Sequence, residues 1–201
     1  MELHLQGIQT PFFKVSDFRL FPGKRLLIKG PSGTGKTTFL HLLAGLYTPS
    51  AGEIHWDQKA LSSLSEKEIS HLRRQKMGLV FQNLNLLSYL TAEENVELCG
   101  ASKPVAQELL TKVGLGDKAA RRTQQLSLGE QQRVAVARVL AQKPEVILAD
   151  EPTSSLDDKN ADQVMNLLGG DLKDQSLVMV SHDHRIEKFF DEILPVQELL
   201  R

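Results

Sequence analysis

A chain of 201 residues corresponds to about one domain, with room for an insertion. With 41% hydrophobic and 24% charged residues it is neither disordered nor membrane-spanning, and no run of about 18 apolar residues occurs. A net charge of −1 argues against a sequence-blind nucleic-acid binder built on a basic face, and a single cysteine, Cys99, excludes an internal disulfide or a cysteine zinc cluster.

In chain order, residues 2–8, 12–20 and 25–29 read as β-strands, with Pro22-Gly23 as a turn before the third. The first ten residues lack the basic start and apolar stretch of a secretory signal, so a cytoplasmic location is expected. A glycine-rich stretch over residues 30–35 follows, then a helical pattern over 36–46 with Leu40, Leu43 and Ala44 on one face. Pro49 and Gly52 break it, and residues 77–81 read as a short strand. Residues 82–141 are mainly helical in pattern, with breaks at Gly100, Pro104, Gly114 and Gly116. The all-apolar runs 146–149 and 177–180 suit strands covered on both faces, and residues 159–168 between them read as a helix. The expected fold is a single α/β domain over residues 1–201: a phosphate-loop core with a mainly parallel sheet, an N-terminal antiparallel β part, and an inserted helical subdomain. The core would comprise about 1–81 and 142–201, and the insertion about 82–141.

Gly30-Pro31-Ser32-Gly33-Thr34-Gly35-Lys36-Thr37 fits the phosphate-loop pattern G-x-x-x-x-G-K-[ST], with a strand before it and a helix after it. The glycines let backbone N–H groups turn inward around phosphate oxygens. Lys36 brings a charge to the β- and γ-phosphates, and the Thr37 hydroxyl is a candidate Mg²⁺ ligand. The helix that follows aims its positive end at the same anion. Asp150 and Glu151 end the apolar run 146–149, where open α/β sheets gather their ligands. There Asp150 is a candidate holder of magnesium, and Glu151 a candidate base for the water attacking the γ-phosphate. Ser127 and Glu130 have capping-box spacing at the head of a good helix former, which by itself reads either as a helix cap or as an anion site.

Taken together, residues 30–37, Gln82, the segment Leu126-Ser127-Leu128-Gly129-Glu130-Gln131-Gln132-Arg133, Asp150-Glu151, Ser154-Ser155-Leu156-Asp157 and His182 occur in the order found in ATP-binding cassette (ABC) ATPases, and the resemblance covers nearly the whole chain. The resemblance implies a head-to-tail pair that sandwiches ATP and Mg²⁺ and hydrolyses the ATP to drive a separate integral membrane permease; no direct nucleic-acid partner is expected. It implies that Ser32, Gly33, Gly35, Lys36, Thr37 and Thr38 hold the nucleotide of their own chain, with Gly30, Pro31 and Thr34 completing the loop. Ser127 and Gly129 would reach the γ-phosphate held by the other copy, and Asp157 would contact that copy. Gln82 resembles a sensor of magnesium and attacking water at the start of the insertion that meets the membrane partner. His182 resembles the histidine that contacts the γ-phosphate.

Two departures stand out: Leu128 replaces a signature glycine, and Glu130 replaces a glutamine. An aromatic residue near the N-terminus is expected to stack on adenine, with Phe12 and Phe13 as candidates. Residues 73–82, 90–98 and 148–157 resemble the lipoprotein-release and macrolide-export branch. Three other readings remain open from sequence: a soluble non-transport ABC protein, a weakly catalytic regulatory subunit in which Leu128 throttles the site, and a small-molecule phosphate-loop kinase. The last leaves the signature and His182 without a purpose.

Overall fold

The computed structural model describes residues 1–81, 83–169 and 175–200. Two sheets organise it. The first is antiparallel, in the order β2-β1-β4-β5, from β1 (Leu3–Gln9), β2 (Lys14–Leu20), β4 (Ala51–Trp56) and β5 (Lys59–Ala60). The second is wholly parallel, in the order β6-β7-β8-β3-β9, from β3 (Arg25–Lys29), β6 (Met77–Val80), β7 (Val146–Asp150), β8 (Ser176–Val180) and β9 (Glu192–Pro195). The helices are α1 (Lys36–Leu43), α2 (Glu66–Lys76), α3 (Ala92–Glu97), α4 (Lys103–Lys112), α5 (Leu128–Ala141), α6 (Asp158–Gly169) and α7 (Val196–Leu199).

The parallel sheet is covered on both faces, which is why its strands read as continuous apolar runs. Along β7, Val146 and Leu148 point into a core shared with α1 and the antiparallel sheet, where Phe39 and Leu40 of α1 meet Leu3, Leu5 and Phe18. Ile147 and Ala149 point the other way, against Val136 and Val139 of α5 and Val164 and Met165 of α6. Helix α5 is apolar on a second side as well: Val134 and Ala137 join Val96, Ala106 and Leu110 in the core of the helical insert. One helix therefore anchors the insert to the sheet.

Several expectations are corrected. Pro104 does not break a helix; it lies in the first turn of α4, where its missing N–H costs no hydrogen bond. β2 begins at Lys14, because Thr10 Oγ1 accepts from the backbone N–H groups of Phe12 and Phe13 and folds that segment into a turn. Helix α1 stops at Leu43, with Gly45 at φ +61° just beyond. β4 runs through Gly52, a residue that reads as a break. Gly52 has φ +89°, and a Cβ there would lie 2.4 Å from the carbonyl carbon of Gly7, at the point where the β1–β4 register shifts. Among the described residues, no helix is long and apolar enough to cross a membrane.

Candidate functional site

In the parallel sheet, β7, β8 and β3 lie side by side and end at the same edge. The loops leaving them carry Asp150-Glu151, Ser181-His182 and residues 30–35, so three segments far apart in sequence converge. They frame a cleft of about 560 Å³ lined by Phe12, residues 32–38, Asp150, Glu151, Ser154 and His182. A cleft of similar size, about 520 Å³, lies between β2 and β9, away from the phosphate loop and the strand-end acids.

The phosphate loop is shaped by Gly33 and Gly35, with φ +80° and +90°, values that L side chains rarely adopt. Gly35 caps α1 without a side-chain hydrogen bond, and the first turn of α1 carries no acid. The helix thus offers its free N–H groups and positive end to an anion. Lys36 is 8% exposed, and its Nζ donates to the carbonyls of Gly30 and Pro31, both at 2.7 Å. The Pro31 carbonyl also accepts from Thr34 Oγ1. Ser32 and Thr38 line the cleft; Gly30 and Pro31 do not, and reach the site only through the carbonyls that accept from Lys36.

Across the cleft, Thr37 Oγ1 donates to Asp150 Oδ2 at 2.6 Å. Burial pushes the Asp150 carboxyl above its ordinary range and the neighbouring Glu151 charge adds to this, while the Thr37 donor pulls the other way. Glu151 adopts a left-handed backbone, φ +50°. Its Oε2 accepts from Ser181 Oγ at 2.7 Å; its Oε1 accepts from the His182 backbone N–H at 3.2 Å and meets His182 Nδ1 at 2.7 Å. A carboxylate only accepts, so Nδ1 carries the hydrogen in this pair. The carboxylate is thereby fixed on three donors while the His182 ring stays 70% exposed.

Phe12 stands at the rim, 74% exposed. Phe13 does not qualify for stacking: it is buried in the main core, and its ring lies 2.8 Å from where a Cβ of Gly35 would sit. The position expected for Gln82, past the end of β6, lies outside the described residues. Sequence reasoning assigns no role to Ser181, nor to Ser154, which it names only within the segment Ser154-Ser155-Leu156-Asp157; Ser154 lines the cleft and Ser181 holds Glu151. The only signal for Ser181 was its place between an apolar strand and His182.

Ser127, Gly129 and Asp157 do not line this cleft. Ser127 caps α5 through a complete box: its N–H donates to Glu130 Oε2 at 2.8 Å, and its Oγ accepts from the Glu130 N–H at 3.3 Å. Glu130 also pairs with Lys118. A Cβ on Gly129 would come within 3.1 Å of the Ser155 carbonyl oxygen. Leu128 instead points into solvent, 57% exposed. Asp157 accepts from the Asn160 N–H at 2.8 Å and caps α6.

The family model described as ABC transporter matches residues 13–154. The chain belongs to the ABC transporter family. An uncharacterized ABC transporter ATP-binding protein of Methanocaldococcus jannaschii is 40% identical over 199 residues, covering 94% of this chain and 89% of that protein. The ATP-binding cassette MJ0796, solved as a dimer in a post-hydrolysis state bound to ADP and Pi, matches with a TM-score of 0.87 at 35% identity, over 96% of this chain and 93% of that one. A second dimeric structure of MJ0796, described as a bacterial ABC transporter cassette, matches at 0.86 and 35%, over 96% and 94%. A bacterial Atm1-family ABC exporter with ATP bound shares the fold, with a TM-score of 0.86 at 24% identity; this chain covers 37% of it. The ABC cassette is an ATPase, and the cleft brings together a glycine-shaped loop, a strand-end carboxylate beside a hydroxyl, and a glutamate held by Ser181 and His182.

Proposed function

We propose that this chain is the ATP-hydrolysing subunit of an ABC transporter, working as a head-to-tail pair on a separate membrane permease. The observation that carries this reading is a division of the site. The phosphate loop, Asp150, Glu151 and His182 share one cleft, whereas Ser127 and Gly129 stand outside it at the exposed head of α5. A second copy would supply that helix end to the γ-phosphate.

In this reading Lys36 exchanges the carbonyls of Gly30 and Pro31 for phosphate oxygens, and the loop N–H groups hold the rest of the chain of phosphates. Phe12 offers a ring to adenine. Thr37 and Asp150 provide oxygen ligands of the kind magnesium prefers, one hydroxyl and one carboxylate, with phosphate and water left to complete its shell. Bound Mg²⁺ would neutralise charge on the transferring phosphoryl group. Glu151, held by Ser181 and His182, orients the attacking water and takes its proton. Water and ATP give ADP and phosphate, and loss of the shared γ-phosphate contact lets the pair reopen.

The permease would hold the cassette at the cytoplasmic membrane face. The likeness of residues 73–82, 90–98 and 148–157 to the lipoprotein-release and macrolide-export branch supports a permease of that kind. Co-purification from membranes tests this: a permease should accompany the chain, and recovery with nucleic acid instead would favour a soluble ABC role. Exposed Leu128 supports a second reading, a throttled regulatory subunit. Leu128→Gly separates the two: a large rise in ATPase rate supports throttling, and an unchanged rate discards it.

A further inference from the structure

Arg185 stands where two loops of the nucleotide site meet. The first loop leaves β8 and carries Ser181 and His182, both bonded to Glu151. The second, residues 151–157, joins β7 to α6. Arg185 grips both. Its Nε donates to Asp183 Oδ1 at 3.0 Å and Nη2 to Asp183 Oδ2 at 2.8 Å, while Nη1 and Nη2 reach the Leu156 carbonyl at 3.4 and 3.3 Å. Nη1 also pairs with Asp158 at the start of α6. Thr153 Oγ1 donates to Asp183 at 3.2 Å, a weaker second tie between the loops. A planar guanidinium can serve a carboxylate and a carbonyl at once in this way.

The second loop in turn rests on α5. The Ser155 carbonyl oxygen packs against Gly129, and Gln132 Nε2 reaches Ser154 Oγ at 3.4 Å. From His182 the contacts therefore run through Asp183, Arg185 and Leu156 to the helix end bearing Ser127 and Gly129.

We propose that Arg185 is a positioning residue that couples the two nucleotide half-sites of one chain, holding the signature helix end in register with the Glu151–His182 pair. The proposal rests on the head-to-tail reading above, in which His182 meets the chain's own ATP and Gly129 meets the partner's. Arg185 touches neither the phosphate loop nor the cleft lining, so its loss leaves ATP capture intact and weakens closure of the pair.

The test uses the full chain in a Glu151→Gln background with saturating Mg-ATP, measuring the dimer dissociation constant by sedimentation. Binding of a fluorescent ATP analogue to dilute monomer is measured alongside. Adding Arg185→Gln should raise the dimer dissociation constant roughly tenfold, as expected for loss of charge-assisted hydrogen bonds, and leave monomer affinity for the analogue within about twofold. Adding Asp158→Asn should have a smaller effect, because the bonds to Asp183 and Leu156 remain. Equal dimerisation with and without Arg185→Gln overturns the proposal, as does an equal loss of monomer affinity, which marks Arg185 as a general support of the fold. If Glu151→Gln alone stays monomeric, the head-to-tail reading fails and takes the coupling with it. A Glu151→Gln dimer indifferent to Arg185→Gln removes the coupling alone.

Discussion

Thr37 Oγ1 and Asp150 Oδ2 lie 2.6 Å apart, joined by a hydrogen bond that bridges the head of α1 and the end of β7. The bond does two things. It satisfies a carboxyl group that is only 4% exposed, and it brings a hydroxyl and a carboxylate oxygen, the proposed magnesium ligands, to one point.

Thr37→Val keeps the shape and removes the donor. Leaving the buried Asp150 carboxylate short of a partner should cost about 1–3 kcal/mol of stability. The Mg²⁺ concentration for half-maximal ATPase should rise as well. Urea unfolding and an Mg²⁺ titration of turnover check both; unchanged values in the two assays would separate the pair from the metal site.

Gly30 owes its identity to α7 as much as to phosphate. Its φ is unremarkable, but a Cβ there would lie 2.2 Å from Val196 Cγ1, a side chain 1% exposed. Gly30→Ala should destabilise the fold by about 1–3 kcal/mol through overpacking. The double variant Gly30→Ala/Val196→Ala should recover part of that loss, read by thermal unfolding. A double variant no better than Gly30→Ala would place the demand for glycine on the loop backbone instead.

Glu130, which departs from the signature pattern, has a structural purpose. Its carboxyl lies below the ordinary range, first because Lys118 donates to it and then because the Ser127 N–H does. The unfolded chain therefore binds the proton more tightly, and the stabilisation is complete above the unfolded carboxyl value of about 4.3 and lost as pH falls through the lower folded value. Glu130→Gln keeps the capping box but loses the ion pair. It should cost about 1 kcal/mol at neutral pH, and the difference should vanish only once the pH has fallen below the lowered folded value. A difference that persists in acid would assign the effect to the cap.

Legibility in the sequence followed the range of the interactions. β3, β7, β8 and α1 are visible because a strand covered on two faces, or a helix packed on one, writes its environment into a local run. β4 is hidden because Gly52 serves the crossing with Gly7 and reads locally as a break. α2 buries no residue fully, so its helical face shows only in Ile69 and Leu72; the Ser65–Glu68 capping box was its unread signal. The phosphate loop is legible because its chemistry needs neighbouring residues. Ser181 and Arg185 are not, since only the side-by-side placement of β7 and β8 brings Ser181 to Glu151 and Arg185 to Leu156. Alternation alone could not separate Phe12 from Phe13; the turn at Thr10 does so, sending one ring to the rim and the other under Gly35.

The proposed function requires two copies to close over shared ATP. Sedimentation of the Glu151→Gln chain, with the proposed base disabled and Mg-ATP saturating, tests it most directly. A dimer that forms with ATP and falls apart with ADP is the predicted result. A chain that stays monomeric with ATP, both alone and beside the proposed permease, would contradict it.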